Sequence, residues 1–293
     1  LSFLFNFRES QLIINGTKSS FAPIGVFDSG VGGLTVLRAL REHLPYEDFI
    51  YLGDTARLPY GTKSAESIVR YSLLAASRLV RYNIKCLVVA CNTASAVAID
   101  TLRVQLAPLP VIGVVDPGAD AGIVASASGR IAIIATESTV RGGAYQRAIL
   151  SRRADARPVA RACPLFVALA EEGWTTGPIV SAIAHRYLDD LFALPEPPDT
   201  LVLGCTHFPV LLDVLREVIG DRVTIVDSAR TAAKALSNTL QGTALARIKD
   251  QSPTLRLLAT DGIERFSRVG SGFLGQAIDA GDVELVDLSE SAE

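Results

Sequence analysis

Short β-branched and apolar runs alternate along this chain with longer stretches of helical period, and few folds accommodate that alternation. The runs are Pro23–Phe27, Phe49–Leu52, Leu87–Ala90, Val111–Val115, Arg130–Ala135, Thr200–Leu203 and Val223–Val226, with Thr254–Ala259 late in the chain. Their continuous apolar character predicts parallel strands covered on both faces. Between them lie segments such as Ser64–Tyr82, where Ile68, Leu73, Ala76, Leu79 and Val80 fall on one face of a helix. The expected class is α/β, built from βαβ units with mainly parallel sheets.

The ends of the runs repeat. Cys-Leu-Val-Val-Ala-Cys91-Asn-Thr resembles Thr-Leu-Val-Leu-Gly-Cys205-Thr-His, an offset of 205 − 91 = 114 residues. Ile-Gly-Val-Val-Asp116-Pro resembles Val-Thr-Ile-Val-Asp227-Ser at 227 − 116 = 111, and Ile24–Phe27 corresponds to Ile131–Ile134 at 131 − 24 = 107. Three anchors at nearly one offset predict two similar, doubly wound α/β halves. The alternative is a chance match of common strand patterns.

Composition bounds the partners. A chain of 293 residues with 49% hydrophobic residues has ample apolar surface to offset chain entropy, which excludes a disordered polyelectrolyte. A net charge of −3 without a Lys/Arg block leaves no footprint for sequence-independent nucleic-acid binding. Four cysteines are too sparse for a disulfide scaffold and fit a reducing cytoplasm. No stretch of about 20 apolar residues suggests a membrane span. The apolar start lacks the basic and small-residue features of a signal peptide. Residues 1–21 read as a poorly ordered extension, and the acidic tail Asp287–Glu293 as frayed.

In open parallel sheets, ligands bind beyond the carboxyl ends of strands. Cys91 and Cys205 each sit just past an apolar run, followed by residues able to cap a helix. A helix N-terminus lowers a thiol's pKa from about 8.5 into the reactive range. A lone cysteine is more often a small buried hydrophobe. Two in equivalent positions of two halves favour function. Thiols approaching a ligand from opposite sides suit inversion at carbon, which needs one base and one acid whose roles exchange with direction. Zinc is disfavoured, because Cys86-x4-Cys91 is not a knuckle and no Cys/His cluster completes four ligands.

The loop Asp28-Ser29-Gly30-Val-Gly32-Gly33 follows a strand and leads into a helix, but matches neither a dinucleotide fingerprint nor a Walker motif. Its Asp28 could receive an ammonium or assist a thiol; a structural turn is the competing reading. Gly53–Gly61 is another strand-end loop, with an amphipathic Tyr60. His207, two residues after Cys205, is placed to polarise a thiol or bind a carboxylate. His43 and His185 read as surface residues, and Cys86 and Cys163 as structural.

With these residues in view, Ile24-Gly-Val-Phe-Asp28-Ser29-Gly, Leu58-Pro-Tyr60-Gly61-Thr, Val89-Ala-Cys91-Asn92-Thr93-Ala and Leu203-Gly-Cys205-Thr206-His207-Phe-Pro resemble the glutamate racemases of the aspartate/glutamate racemase family. The resemblance runs from about Pro23 to Gly275; Phe208 stands where the family often has Tyr. It implies two pseudo-symmetric domains with the site in the cleft between them. The first would comprise 22–118 and 229–275, the second 119–228, and 276–293 would be a C-terminal tail.

The resemblance further implies that Cys91 and Cys205 are the acid/base pair, Cys91 for D-glutamate and Cys205 for L-glutamate. Asp28 and His207 would assist the thiols, and Glu171 would be a further acidic helper, with Glu172 as its rival. Asp28, Ser29, Tyr60, Gly61, Asn92, Thr93, Thr206 and His207 would bind substrate. No cofactor and no metal are expected. The implied role is supply of D-glutamate for bacterial peptidoglycan in the cytoplasm. The family commonly dimerises, so a homodimer is allowed, although no residue identifies an interface. The competing readings are a racemase for aspartate or another acidic amino acid, and a binding or regulatory module with a protein partner such as DNA gyrase.

Overall fold

The computed structural model describes residues 19–248 and 252–288. The expectations of a poorly ordered start and a frayed end fall chiefly on residues 1–18 and 289–293, outside the described residues. The first half of the chain runs β1 (Ile24–Asp28), α1 (Leu34–His43), β2 (Phe49–Gly53), α2 (Ala65–Val80), β3 (Cys86–Val89), α3 (Asn92–Leu106) and β4 (Val111–Gly113). It continues through α4 (Val115–Ala125), β5 (Arg130–Ala135), α5 (Glu137–Gly142), α6 (Ala144–Arg152), β6 (Arg157–Ala162), α7 (Pro164–Glu171) and α8 (Pro178–Phe192). The remainder is β7 (Thr200–Gly204), α9 (Leu212–Ile219), β8 (Thr224–Asp227), α10 (Ser228–Gly242), β9 (Leu255–Ala259), α11 (Ile263–Leu274) and β10 (Val283–Leu285).

All strand pairs are parallel, as the continuous apolar runs require. They form two sheets, ordered β10-β9-β2-β1-β3-β4 and β6-β5-β7-β8. Matching β1 to β5, β2 to β6, β3 to β7 and β4 to β8 gives the same inner order in both. In each sheet the chain reverses direction across the first and third of these strands, β1 and β3 in one, β5 and β7 in the other. The crevice at such a switch point opens at the carboxyl ends of those strands.

Helices cover both faces of each sheet. On the first, Leu34, Leu37, Leu236, Phe266 and Phe273 from α1, α10 and α11 pack on one side; Ile68, Leu79, Ala98 and Leu102 from α2 and α3 pack on the other. On the second, Phe166, Leu188 and Leu215 from α7, α8 and α9 oppose Ala119, Tyr145 and Ile149 from α4 and α6. Fully buried strand residues such as Val26 and Leu203 each contribute about 2 kcal/mol through burial. The helix expected over 64–82 begins after Ser64, whose hydroxyl accepts the Ser67 amide, with Glu66 in its first turn.

The amino ends of the first sheet are closed by charge. Lys85, fully buried, donates to Glu47 Oε2 at 2.5 Å and to the carbonyls of Ser20 and Leu245 at 2.5 and 2.9 Å. All three ammonium protons thus have acceptors. This end is structural, and the opposite end is left for chemistry.

Three expectations change. Residues 276–288 are not simply a tail: β10 pairs with β9, and Val283, Val286 and Leu288 are buried against the first sheet. β6 is a strand that no apolar run announced, because Arg157 and Arg161 interrupt it at the sheet's edge. The run Val111–Val115 ends at Gly113, and Asp116 lies in the first turn of α4, bonded to Arg152. Its counterpart Asp227 instead caps α10, accepting the Ala229 amide at 2.8 Å.

Candidate active site

Asp28 ends β1 and is fully buried. Its Oδ2 accepts the Gly30 amide at 2.9 Å, while Oδ1 accepts no hydrogen bond. Burial raises its pKa, and the positive charge at His207 and the loop amides offset this only in part. Cys91 follows β3 and caps α3: its Sγ accepts the Ala94 amide at 3.4 Å, and the thiol donates to Ser29 Oγ at 3.4 Å. The helix terminus does not make this thiol acidic, contrary to expectation. Burial and then the nearby Asp28 carboxylate push its pKa up to about 12, outweighing the amide and serine contacts.

Cys205 occupies the matching place after β7, but a single 3-10 turn, Phe208–Leu211, follows it rather than an α-helix. It has side-chain helpers instead. His207 Nδ1 lies 3.8 Å from Cys205 Sγ, and Nε2 lies 3.1 Å from Glu171 Oε1. Glu171 Oε2 accepts from Arg265 of α11 at 2.7 Å. Burial alone would lower the imidazole pKa. The contacts with Cys205 and Glu171 prevail and hold it up to about 10. Burial likewise opposes Glu171, yet His207 and Arg265 hold its carboxyl below the usual range.

Both thiols border one cavity of about 290 Å³ between the two sheets' carboxyl ends. Ser29, Tyr60, Gly61, Asn92, Thr93, Thr206, His207 and Glu171 also border it, whereas Asp28 does not. Glu171 rather than Glu172 faces this space. The Tyr60 hydroxyl is turned away, donating to buried Asp54 at 2.7 Å, so Tyr60 offers the cavity its ring and backbone. The glycines of the first loop permit close approach of the halves. A Cβ on Gly32 would strike the His207 ring and lie 2.6 Å from Thr206 Oγ1, and one on Gly33 would strike Asp28.

The cavity adds residues that motif reading missed, among them Thr136 and Glu137. Thr136 Oγ1 lies 2.9 Å from Thr93 Oγ1 and 3.0 Å from Thr139 Oγ1, so hydroxyls from both halves meet there. The repeat carried the signal: Ser29 plus the offset of 107 that relates Ile24 to Ile131 is Thr136.

The remaining candidates lie elsewhere. Cys86 is buried at the amino end of β3, and Cys163 is buried at the start of α7, outside the residues bordering the cavity. His43 is exposed, and His185 pairs with Asp189 on α8. A larger groove, of about 700 Å³, runs beside Arg161 and His185, but it holds no thiol, and Arg161 is already paired with Asp190. Among the described residues no His/Cys/Asp/Glu group is arranged to hold a metal ion, and no helix is long and apolar enough to cross a membrane.

Doubly wound sheets with two thiols at matching strand ends define a class, and comparison identifies it. Residues 24–236 match the family model of Asp/Glu/hydantoin racemases. The chain belongs to that family, whose members are isomerases. Within the family, the curated relatives that match include glutamate racemases. A glutamate racemase of Geobacter metallireducens is 48% identical over 92% of this chain and 98% of its own length. The structure of glutamate racemase from Francisella tularensis in complex with D-glutamate matches with a TM-score of 0.85 at 34% identity, covering 92% of this chain and 99% of that one. That of Thermus thermophilus glutamate racemase in complex with β-chloro-D-alanine matches at 0.82 and 40%, covering 92% and 99%.

Proposed function

We propose that this protein interconverts L- and D-glutamate by removing the proton from one face of Cα and adding another to the opposite face, with Cys91 and Cys205 as the two acid/base groups. The observation that carries the reading is the placement of these thiols at equivalent strand ends of two like-ordered sheets, bordering one cavity. Starting from L-glutamate, the Cys205 thiolate takes the α-proton and becomes a thiol. The electron pair left on carbon spreads into the α-carboxylate, where hydrogen-bond donors stabilise it. The Cys91 thiol then delivers its proton to the opposite face and becomes a thiolate. Return from D-glutamate is the reverse.

The helpers follow from their positions. His207, held positive between Cys205 and Glu171, balances charge on the Cys205 side. On the Cys91 side, a substrate ammonium near Asp28 offsets the burial that otherwise disfavours a thiolate. Asn92, Thr93, Thr206 and the backbone at Ser29, Tyr60 and Gly61 provide donors for the two carboxylates. Proton transfer of this kind involves no redox step and calls on no cofactor.

We read residues 22–118 and 229–288 as one domain and 119–228 as the other, with the cytoplasm as the site of action and D-glutamate for peptidoglycan as the product's use. Purified protein given L-glutamate without added cofactor should produce D-glutamate until the enantiomers are equal, with aspartate converted far more slowly. Expression should also restore growth to a bacterium that requires external D-glutamate. Inactivity on glutamate, or a preference for aspartate, would overturn the substrate assignment.

A further inference from the structure

Asn92 opens α3 next to Cys91 and borders the cavity. Its two amide atoms are placed differently. Oδ1 accepts a 2.6 Å hydrogen bond from the Tyr145 hydroxyl, whereas Nδ2 is buried without a hydrogen-bond partner. A carboxamide rotates readily between its two orientations, because its terminal torsion is broad and roughly two-fold. The wrong orientation would set an oxygen against a substrate carboxylate. Something must choose between them.

Tyr145 is built to do so. It lies on α6 of the second sheet's helical layer, is 1% exposed, and reaches across to the first residue of α3. Its ring fills space kept by two glycines: a Cβ on Gly204 would lie 3.0 Å from it, and one on Gly118 would lie 3.2 Å away. The buried Ser228 side chain, at the start of α10, lies on the same side, since a Cβ on Gly118 would meet both it and the phenol.

We propose that Tyr145 is a positioning residue for the racemisation: its hydroxyl, donating to Asn92 Oδ1, fixes the carboxamide so that Nδ2 faces the substrate α-carboxylate. The inference rests on the glutamate racemase reading above. Its consequence falls on the reaction barrier, because negative charge grows on that carboxylate as the α-proton leaves.

The test is a double-mutant cycle in kcat/KM for glutamate with the full-length enzyme. Tyr145→Phe should lower kcat/KM about tenfold, equally for both enantiomers, as loss of one oriented hydrogen bond implies. In an Asn92→Ala background the same change should cost less than about twofold, since nothing remains to be oriented. If Tyr145→Phe fails to fold, Tyr145→His, which keeps a ring N–H donor, replaces it in the cycle, and any loss it gives should likewise shrink below about twofold in the Asn92→Ala background. Equal losses in both backgrounds would show a packing role and overturn the proposal, as would no loss from Tyr145→Phe. Wild-type protein inactive on glutamate would instead sink the parent reading, so the two failures are distinguishable.

Discussion

Cys91 and Cys205 occupy matching positions in unlike company, one beside a buried carboxylate and the other beside an imidazolium. Two predictions belong to these neighbours. Asp28 has its pKa raised by burial, so the stability it contributes is full below its ordinary value of 3.8 and is lost as pH rises through its folded value. Asp28→Asn should therefore stabilise the protein at pH 7 by about 1 kcal/mol in thermal or denaturant melts while lowering kcat at least about 100-fold. His207 has the same sign of shift from a different cause. Its folded pKa, about 10, lies above the ordinary 6.5, so the stability it contributes is complete below pH 6.5 and is lost as pH climbs through about 10. A His207→Asn variant should show a flatter alkaline fall in Tm than the wild type. At this scale the thiols and His207 were legible because motifs carry them, whereas Glu171 came from the family resemblance alone. The acidity of Cys91 was misjudged, because burial is a property of the assembled fold that local sequence does not display.

At the scale of elements, legibility followed burial. Strands enclosed on both faces, such as β1, β3, β5 and β7, wrote themselves as apolar runs. β6 did not, since an edge strand can carry Arg157 and Arg161 outward, yet β2 plus an offset of about 107 points to it. β10 was hidden by its three-residue length and an acidic setting. Its segment nevertheless supports the first sheet, where Leu288 is 7% exposed. Leu288→Ala should cost about 2 kcal/mol in a denaturant melt. A change of less than about 0.5 kcal/mol would mean that this end packs against nothing.

For the whole molecule, the site exists only where the two sheets meet. Thr35 Oγ1 lies 2.9 Å from the Thr206 carbonyl, Phe273 contacts the His207 ring edge-on, and Arg265 holds Glu171 from the opposite side of the junction. Arg265 is half exposed, so its ion pair adds little to stability. Its effect should appear in turnover. Arg265→Ala should lower kcat about fivefold with Tm nearly unchanged, and Arg265→Lys should restore much of the loss. The repeat foretold two like-ordered sheets, but not which loops touch, because contacts between halves join residues with no shared pattern.

The central claim is that one thiolate removes the α-proton while the opposite thiol returns a different one, and it is tested most directly by racemisation in D2O. Wild-type protein should replace the α-proton of either glutamate enantiomer with deuterium as it inverts, while Cys91→Ser and Cys205→Ser should each lower that conversion by roughly 10² to 10⁴-fold. Inversion with deuterium uptake at the wild-type rate in either variant would contradict the account.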